Sequence, residues 1–237
     1  MEQVLVTGAT SGIGRAIAVA LQQAGYAVTA VGRNRAALAD IAAEAAGMQT
    51  LCLDLSDRTA MSAALAGRSV DILVNNAGVM PRPEAFDAMD LNAIDHTMAV
   101  NLQSVLWLTR LIVPQMRARK SGHIVFTGSS AAHAPGANFA VYAATKAAIS
   151  AFATALRAEV SVDGLRVTEL VPGRVETALY ADVLTDATRE AMYAGGTALQ
   201  PSDLAEAVLA VLQLPPRANV TRLDIMPTRP VPPIKLQ

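Results

Sequence analysis

The feature that most constrains this chain is a regular alternation of short apolar runs with longer helical patterns, kept up from end to end. Strand-like runs fall at 3–7, 26–31, 49–53, 70–75, 122–128, 165–171 and 220–226. Helical stretches separate them. They run to Ala24, to about Ala46, onward from a cap at Ser56 or Asp57, over about 88–118, from Ala140 to Val160, and over 201–213. Residues 27–31 and 70–74 are apolar nearly throughout, as strands buried on both faces require. Such a succession predicts a mostly parallel sheet with helices on both faces and right-handed crossovers. The 237 residues suit a single doubly wound α/β domain over 1–237. A content of 52% apolar and 16% charged residues agrees with that much burial. The one shift in composition is the proline-rich tail at 227–237, which reads as extended and able to pack on a neighbouring subunit.

Charge and segment patterns exclude several functions. A net charge of −1 favours neither nucleic acid nor an anionic membrane. The most apolar long stretch, 98–116, holds Asn101, Gln103, Arg110 and Pro114, so it reads as a buried helix and not a membrane span. No basic region precedes an apolar stretch at the N-terminus, so a cytoplasmic location is expected. The lone Cys52 cannot form an internal disulfide, and its strand context predicts a small core residue. His96, His123 and His133 show no ligand spacing, so no metal is expected.

Between the first strand and first helix lies Thr7-Gly8-Ala9-Thr10-Ser11-Gly12-Ile13-Gly14. Glycines permit a tight turn and let backbone approach a ligand, and free N–H groups at a helix start receive an anion. The spacing is GxxxGxG, neither the GxGxxG dinucleotide fingerprint nor a Walker loop. Taken alone, these residues also fit a glycine turn without ligand.

Further segments follow in order: Asn75-Asn76-Ala77-Gly78, Asn101, Ser129, Tyr142-Ala-Ala-Thr-Lys146, and Pro172-Gly173-Arg174-Val175-Glu176-Thr177. With the glycine turn they resemble the compact form of the short-chain dehydrogenase/reductase family, over roughly residues 3–226. The resemblance implies a Rossmann-like seven-stranded sheet in the order 3-2-1-4-5-6-7. It also implies a catalytic group of Asn101, Ser129, Tyr142 and Lys146. Tyr142 and Lys146 are four apart and share a helix face. A phenol titrates near ~10, and an ammonium at ~4 Å contributes about 4 kcal/mol at an effective dielectric of ~20. At ~1.4 kcal/mol per pKa unit, Lys146 is expected to lower the phenol by ~2–3 units. By resemblance, Tyr142 is the general acid–base and Lys146 also holds the nicotinamide ribose. Ser129 would fix the substrate oxygen, with Ser130 a competitor. The main-chain carbonyl of Asn101 would bind a relay water.

The same resemblance assigns cofactor contacts to Gly8, Ser11, Gly12, Ile13, Gly14, Asp54, Leu55, Asn76, Ala77, Gly78, Pro172, Gly173, Val175 and Thr177, together with Tyr142 and Lys146. Asp54 would meet the adenine, and Val175 and Thr177 the nicotinamide. Val31-Gly32-Arg33-Asn34-Arg35 carries no carboxylate before Asp40, and Arg33 can pair with a 2′-phosphate in bidentate fashion. NADP(H) is therefore expected over NAD(H). Ser11 departs from the basic residue that many NADP-preferring relatives carry in the turn.

Residues 179–197 correspond to the family's variable lid, with Leu179, Tyr180, Met192 and Tyr193 and a candidate hinge at Gly195-Gly196. Met80, Ala131, His133 and Phe139 are candidate neighbours. A small hydrophobic ketone, aldehyde or secondary alcohol is the expected substrate, turned over as by a carbonyl reductase. The helix from Ala140 has alanines at 143, 144, 147, 148, 151, 153 and 155, and relatives associate through this helix and the one before it. A homo-oligomer, a tetramer in particular, is expected. Two alternatives use the same fold: a dinucleotide sensor or scaffold without catalysis, and a lyase or epimerase.

Overall fold

Seven strands, Gln3–Thr7 (β1), Ala27–Gly32 (β2), Gln49–Cys52 (β3), Ile72–Asn75 (β4), His123–Thr127 (β5), Arg166–Pro172 (β6) and Arg222–Ile225 (β7), form one parallel sheet. Its order is β3-β2-β1-β4-β5-β6-β7, as expected. The computed structural model describes residues 1–181 and 183–229. The end of the proline-rich tail, 230–237, lies outside the described residues, as does Asp182 of the lid segment.

Alternation of side chains along β1 divides the core. Val4 and Val6 face one layer, in which α1 (Gly12–Gln23), α2 (Arg35–Glu44) and α8 (Pro201–Leu212) bury Ile17, Leu21, Leu38, Leu204 and Val208. Leu5 faces the other, in which α3 (Arg58–Leu65), α5 (Ser104–Arg119) and α6 (Ala140–Val160) bury Met61, Leu108, Ile112 and Ile149. Each such side chain contributes ~1.5–3 kcal/mol on burial. Asn34 caps α2 by accepting from Ala37 N at 3.1 Å, and Asp57, not Ser56, caps α3 by accepting from Ala60 N at 2.9 Å.

Three expectations are corrected. Cys52 is exposed, because β3 is the edge strand and only Leu51 of its four residues is even half-buried. The region 88–118 is not one helix. A 3-10 turn at Phe86–Ala88 leads to α4 (Leu91–Met98), then a π-helical turn at Ala99–Gln103, then α5. The lid segment holds a helix that the sequence pattern did not suggest, α7 (Asp186–Tyr193), whose N-terminus Thr185 caps by accepting from Thr188 N at 3.3 Å. Its polarity hid it: only Met192 is buried.

Sheet order reverses at β1, which pairs with β2 on one side and β4 on the other. The connections leave the carboxyl ends of these strands in opposite directions. A crevice opens there, where open α/β sheets take ligands.

Candidate active site

The glycine turn is fastened to β4 by polar side chains. The hydroxyl of Thr7, buried, donates to Val74 O at 3.2 Å and accepts from Asn76 N and Ala77 N, each at 3.0 Å. Asn76 Nδ2 donates to Thr7 O at 3.1 Å, and Thr127 Oγ1 donates to Asn76 Oδ1 at 3.2 Å. Asn75 Nδ2 donates to Thr109 Oγ1 at 3.2 Å, which ties β4 to α5. A Cβ on Gly14 would lie 2.3 Å from both Asn76 Nδ2 and Gly8 O, so only glycine fits. Gly14 is thus buried behind the turn and does not line the cleft.

That cleft encloses about 640 Å³. Gly8, Ser11, Gly12 and Ile13 line it at the helix start, Asn76, Ala77 and Gly78 at the end of β4, and Pro172, Gly173, Val175 and Thr177 after β6. A Cβ on Gly12 would meet the Thr177 methyl at 3.1 Å, so the loop after β6 reaches the glycine turn. Arg33, Asp54 and Leu55 line the far end. Arg33 is exposed, and no carboxylate pairs with it among the described residues. Asp54 Oδ1 accepts from Ser56 Oγ at 2.7 Å and Ser56 N at 2.9 Å, and these bonds hold its carboxyl below the ordinary range.

Ser129, Tyr142 and Lys146 converge on the middle of the cleft. Ser129 accepts from Ala131 N at 3.1 Å, and Ser130 is not in the lining. Lys146, only 5% exposed, donates from Nζ to Thr127 O at 2.8 Å. Burial pulls its ammonium down to about 8, while Glu169 pushes the other way. Burial also drives the Tyr142 phenol above its ordinary range; Tyr180 adds to this and Ser129 opposes it. The expected lowering by Lys146 is therefore absent. The ammonium is committed to the Thr127 carbonyl, 5.8 Å from the phenol ring centroid, and desolvation of the phenol dominates.

Asn101 stands behind this group, outside the lining. The π turn rotates its side chain inward, where Oδ1 accepts from Val79 N at 2.7 Å and Nδ2 donates to Val79 O at 2.9 Å. It fixes the chain after β4 as a neighbouring strand would. A Cβ on Gly78 would fall 3.4 Å from Asn101 Oδ1 and 3.8 Å from Lys146 Nζ, so these three crowd together.

Met80, Leu179, Tyr180 and Val183 supply the apolar end of the lining. Ala131, His133, Phe139, Met192 and Tyr193 do not line it. Met192 is buried, and Tyr193 Oη donates to Thr177 O at 3.3 Å. Sequence reasoning missed Thr10, His96 and Thr127 in the lining. Thr10 was legible only through contact: a Cβ on Gly32 would lie 2.4 Å from its methyl. Among the described residues, no three His, Cys, Asp or Glu side chains gather as metal ligands would.

A parallel sheet with a glycine turn at its switch point, opening on a buried phenol and ammonium, is the architecture of a dinucleotide-dependent enzyme. The chain belongs to the short-chain dehydrogenase family, whose model matches residues 2–188. It is 45% identical to an uncharacterized short-chain type dehydrogenase/reductase, y4eK, of Sinorhizobium fredii, over 96% of this chain and 92% of that one. It is 34% identical to the NADP-dependent 3-hydroxy acid dehydrogenase YdfG of Escherichia coli strain K12, over 94% of each. A solved structure, the closed form of serine dehydrogenase complexed with NADP+, superposes with a TM-score of 0.93 at 33% identity over 99% of both chains. The chain is accordingly an NAD(P)-dependent oxidoreductase acting on alcohol or carbonyl groups.

Proposed function

We propose that this enzyme transfers hydride between NADP(H) and a small, neutral, largely hydrophobic ketone, aldehyde or secondary alcohol. The reading rests above all on the cleft itself. Its substrate end is lined by Met80, Leu179, Tyr180 and Val183 beside Ser129 and Tyr142, with Lys146 in the lining next to them and Arg174, whose charge reaches Tyr180, outside it.

The residues fit a nicotinamide dinucleotide. Ser11 caps α1 without a side-chain hydrogen bond, which leaves the first backbone N–H groups of the helix open to a pyrophosphate. At the far end, Arg33 has the fork geometry for a 2′-phosphate and forms no ion pair among the described residues. The bound cofactor supplies or takes the hydride. In reduction, Ser129 holds the substrate oxygen by a hydrogen bond, and the Tyr142 O–H gives its proton to that oxygen as negative charge develops. Lys146, fixed by Thr127 O on one side, holds the nicotinamide ribose hydroxyls. Asn101 acts through position, by holding Val79.

A second reading is favoured by the relatives: YdfG and serine dehydrogenase are named for hydroxy acids. NADPH consumption with matched ketones, with and without a carboxylate, separates the two. Faster turnover of the neutral member supports the hydrophobic reading, and preference for the acid overturns it. A cytoplasmic tetramer completes the proposal. Exposed Phe86 in the 3-10 turn, Leu91 at the start of α4 and Leu111 on α5 support the association, and light scattering showing a monomer would count against it.

A further inference from the structure

β6 carries a carboxylate where a two-sided strand normally carries an apolar residue. Glu169 is 3% exposed and lies on the same face as Val167, which packs into the layer of α6. Its Oε2 accepts from Ser150 Oγ of α6 at 2.9 Å. No described residue donates to Oε1. A buried carboxylate with so few hydrogen bonds is costly unless a cation lies close.

The cation in place is Lys146. It sits one helical turn before Ser150 on the same face of α6; Ser150 reaches Glu169 on β6, and Lys146 reaches Thr127 at the end of neighbouring β5. Gly128 lies between it and Glu169, and a Cβ there would fall 2.6 Å from Glu169 Oε1. Gly128 N donates to Leu170 O at 2.7 Å, and the preceding carbonyl, Thr127 O, receives the Lys146 ammonium. Glu169, Gly128, Thr127 and Lys146 thus form one contiguous stack directly behind Ser129. The absence of a side chain at 128 is what lets the carboxylate reach it.

We propose that Glu169 is a positioning residue for Lys146: its buried carboxylate, held by Ser150 beneath Gly128, is the counter-charge that keeps the ammonium protonated and seated on the Thr127 carbonyl. Burial alone works against that charge, and Glu169 opposes burial. The other ionisable groups around the pair do not replace it. Tyr142 on α6 and Tyr180 in the lid segment have phenols held in the neutral form by burial. Arg222, opposite Glu169 in the β6–β7 register, also feels that carboxylate, but it is exposed and bonded to Asp224 at 2.5 Å.

The inference rests on the proposed role of Lys146, and its test is readable without turnover. The chain has only three lysines, Lys120, Lys146 and Lys235, so lysine side chains labelled with carbon-13 can be titrated individually by NMR in the full-length protein. In Glu169→Gln the Lys146 midpoint is expected to fall by about one pH unit, with Lys120 unmoved. Activity that requires the charged lysine is lost as pH rises through that midpoint, so the alkaline limb of kcat/KM should move down by the same amount. An unchanged midpoint in folded Glu169→Gln overturns the proposal, whatever the activity does. A lowered midpoint with an unchanged pH–rate profile supports the counter-charge and tells against the catalytic role of Lys146. Should Glu169→Gln fail to fold, Ser150→Ala releases the carboxylate from its tether. It should give a smaller shift of the same sign, and no shift there overturns the proposal equally.

Discussion

At the glycine turn a Cβ added to Gly8 or Gly14 would collide with Asn76, Ala77 or the Gly8 carbonyl, whereas a Cβ added to Gly195 or Gly196, in the segment after β6, would meet nothing within 4 Å. The two regions face one cleft but are built differently. The first is locked to the sheet by the Thr7 hydroxyl and the Asn76 amide. The second is held by bonds to backbone carbonyls, among them Tyr193 Oη to Thr177 O, Arg174 to Met192 O at 2.9 Å and Arg229 to Gly195 O at 2.7 Å. A rigid half suits a cofactor that every turnover shares. A looser half suits a substrate that must enter and leave.

The contrast can be broken or sharpened by substitution. The largest effect is expected at Gly14→Ala, where the new methyl must displace Asn76 or the Gly8 carbonyl. The cost should reach ~3 kcal/mol, near the upper end for overpacking. Thermal unfolding together with NADPH titration should show a destabilised protein that no longer binds cofactor. Wild-type binding would mean that the turn is not rigid. Next is Arg33→Asp, which removes a charged hydrogen bond worth about 1.5–3 kcal/mol. Affinity for NADPH relative to NADH should fall on the order of 10–100-fold, and an unchanged ratio would place the 2′-phosphate elsewhere. The smallest effect is expected at Gly195→Ala. Its φ of +73° makes alanine cost ~1 kcal/mol, but there is no collision. kcat and KM should move together by no more than about tenfold, with cofactor affinity unchanged. Lost cofactor binding there would erase the distinction between the halves.

The same contrast sets what could be read from residues alone. The glycine turn and α6 over 140–160 were legible because spacing and apolar runs encode them directly, and the strand order followed from the family resemblance. Arg33, Asp54, Ser129, Tyr142 and Thr177 all reach the lining, as the order of motifs implied. What remained hidden depends on contacts between distant segments. Thr10 against Gly32 is one case, and Asn101 against Val79, made possible by a π turn that has no sequence signature, is another. Glu169 was read only as part of a strand run. With both faces of β6 buried, period-two alternation does not say which layer receives the carboxylate. Cys52 was misplaced for the opposite reason, since an apolar run looks alike on a central strand and on an edge.

Tyr142→Phe removes one oxygen from a fully packed helix and leaves Lys146, Ser129 and the glycine turn in place. NADPH affinity measured by fluorescence and turnover measured on the same sample together report whether the phenol is the proton donor. Affinity within about twofold of wild type with turnover reduced at least ~100-fold is the expected result. Turnover close to wild type in a variant that still binds NADPH would contradict it.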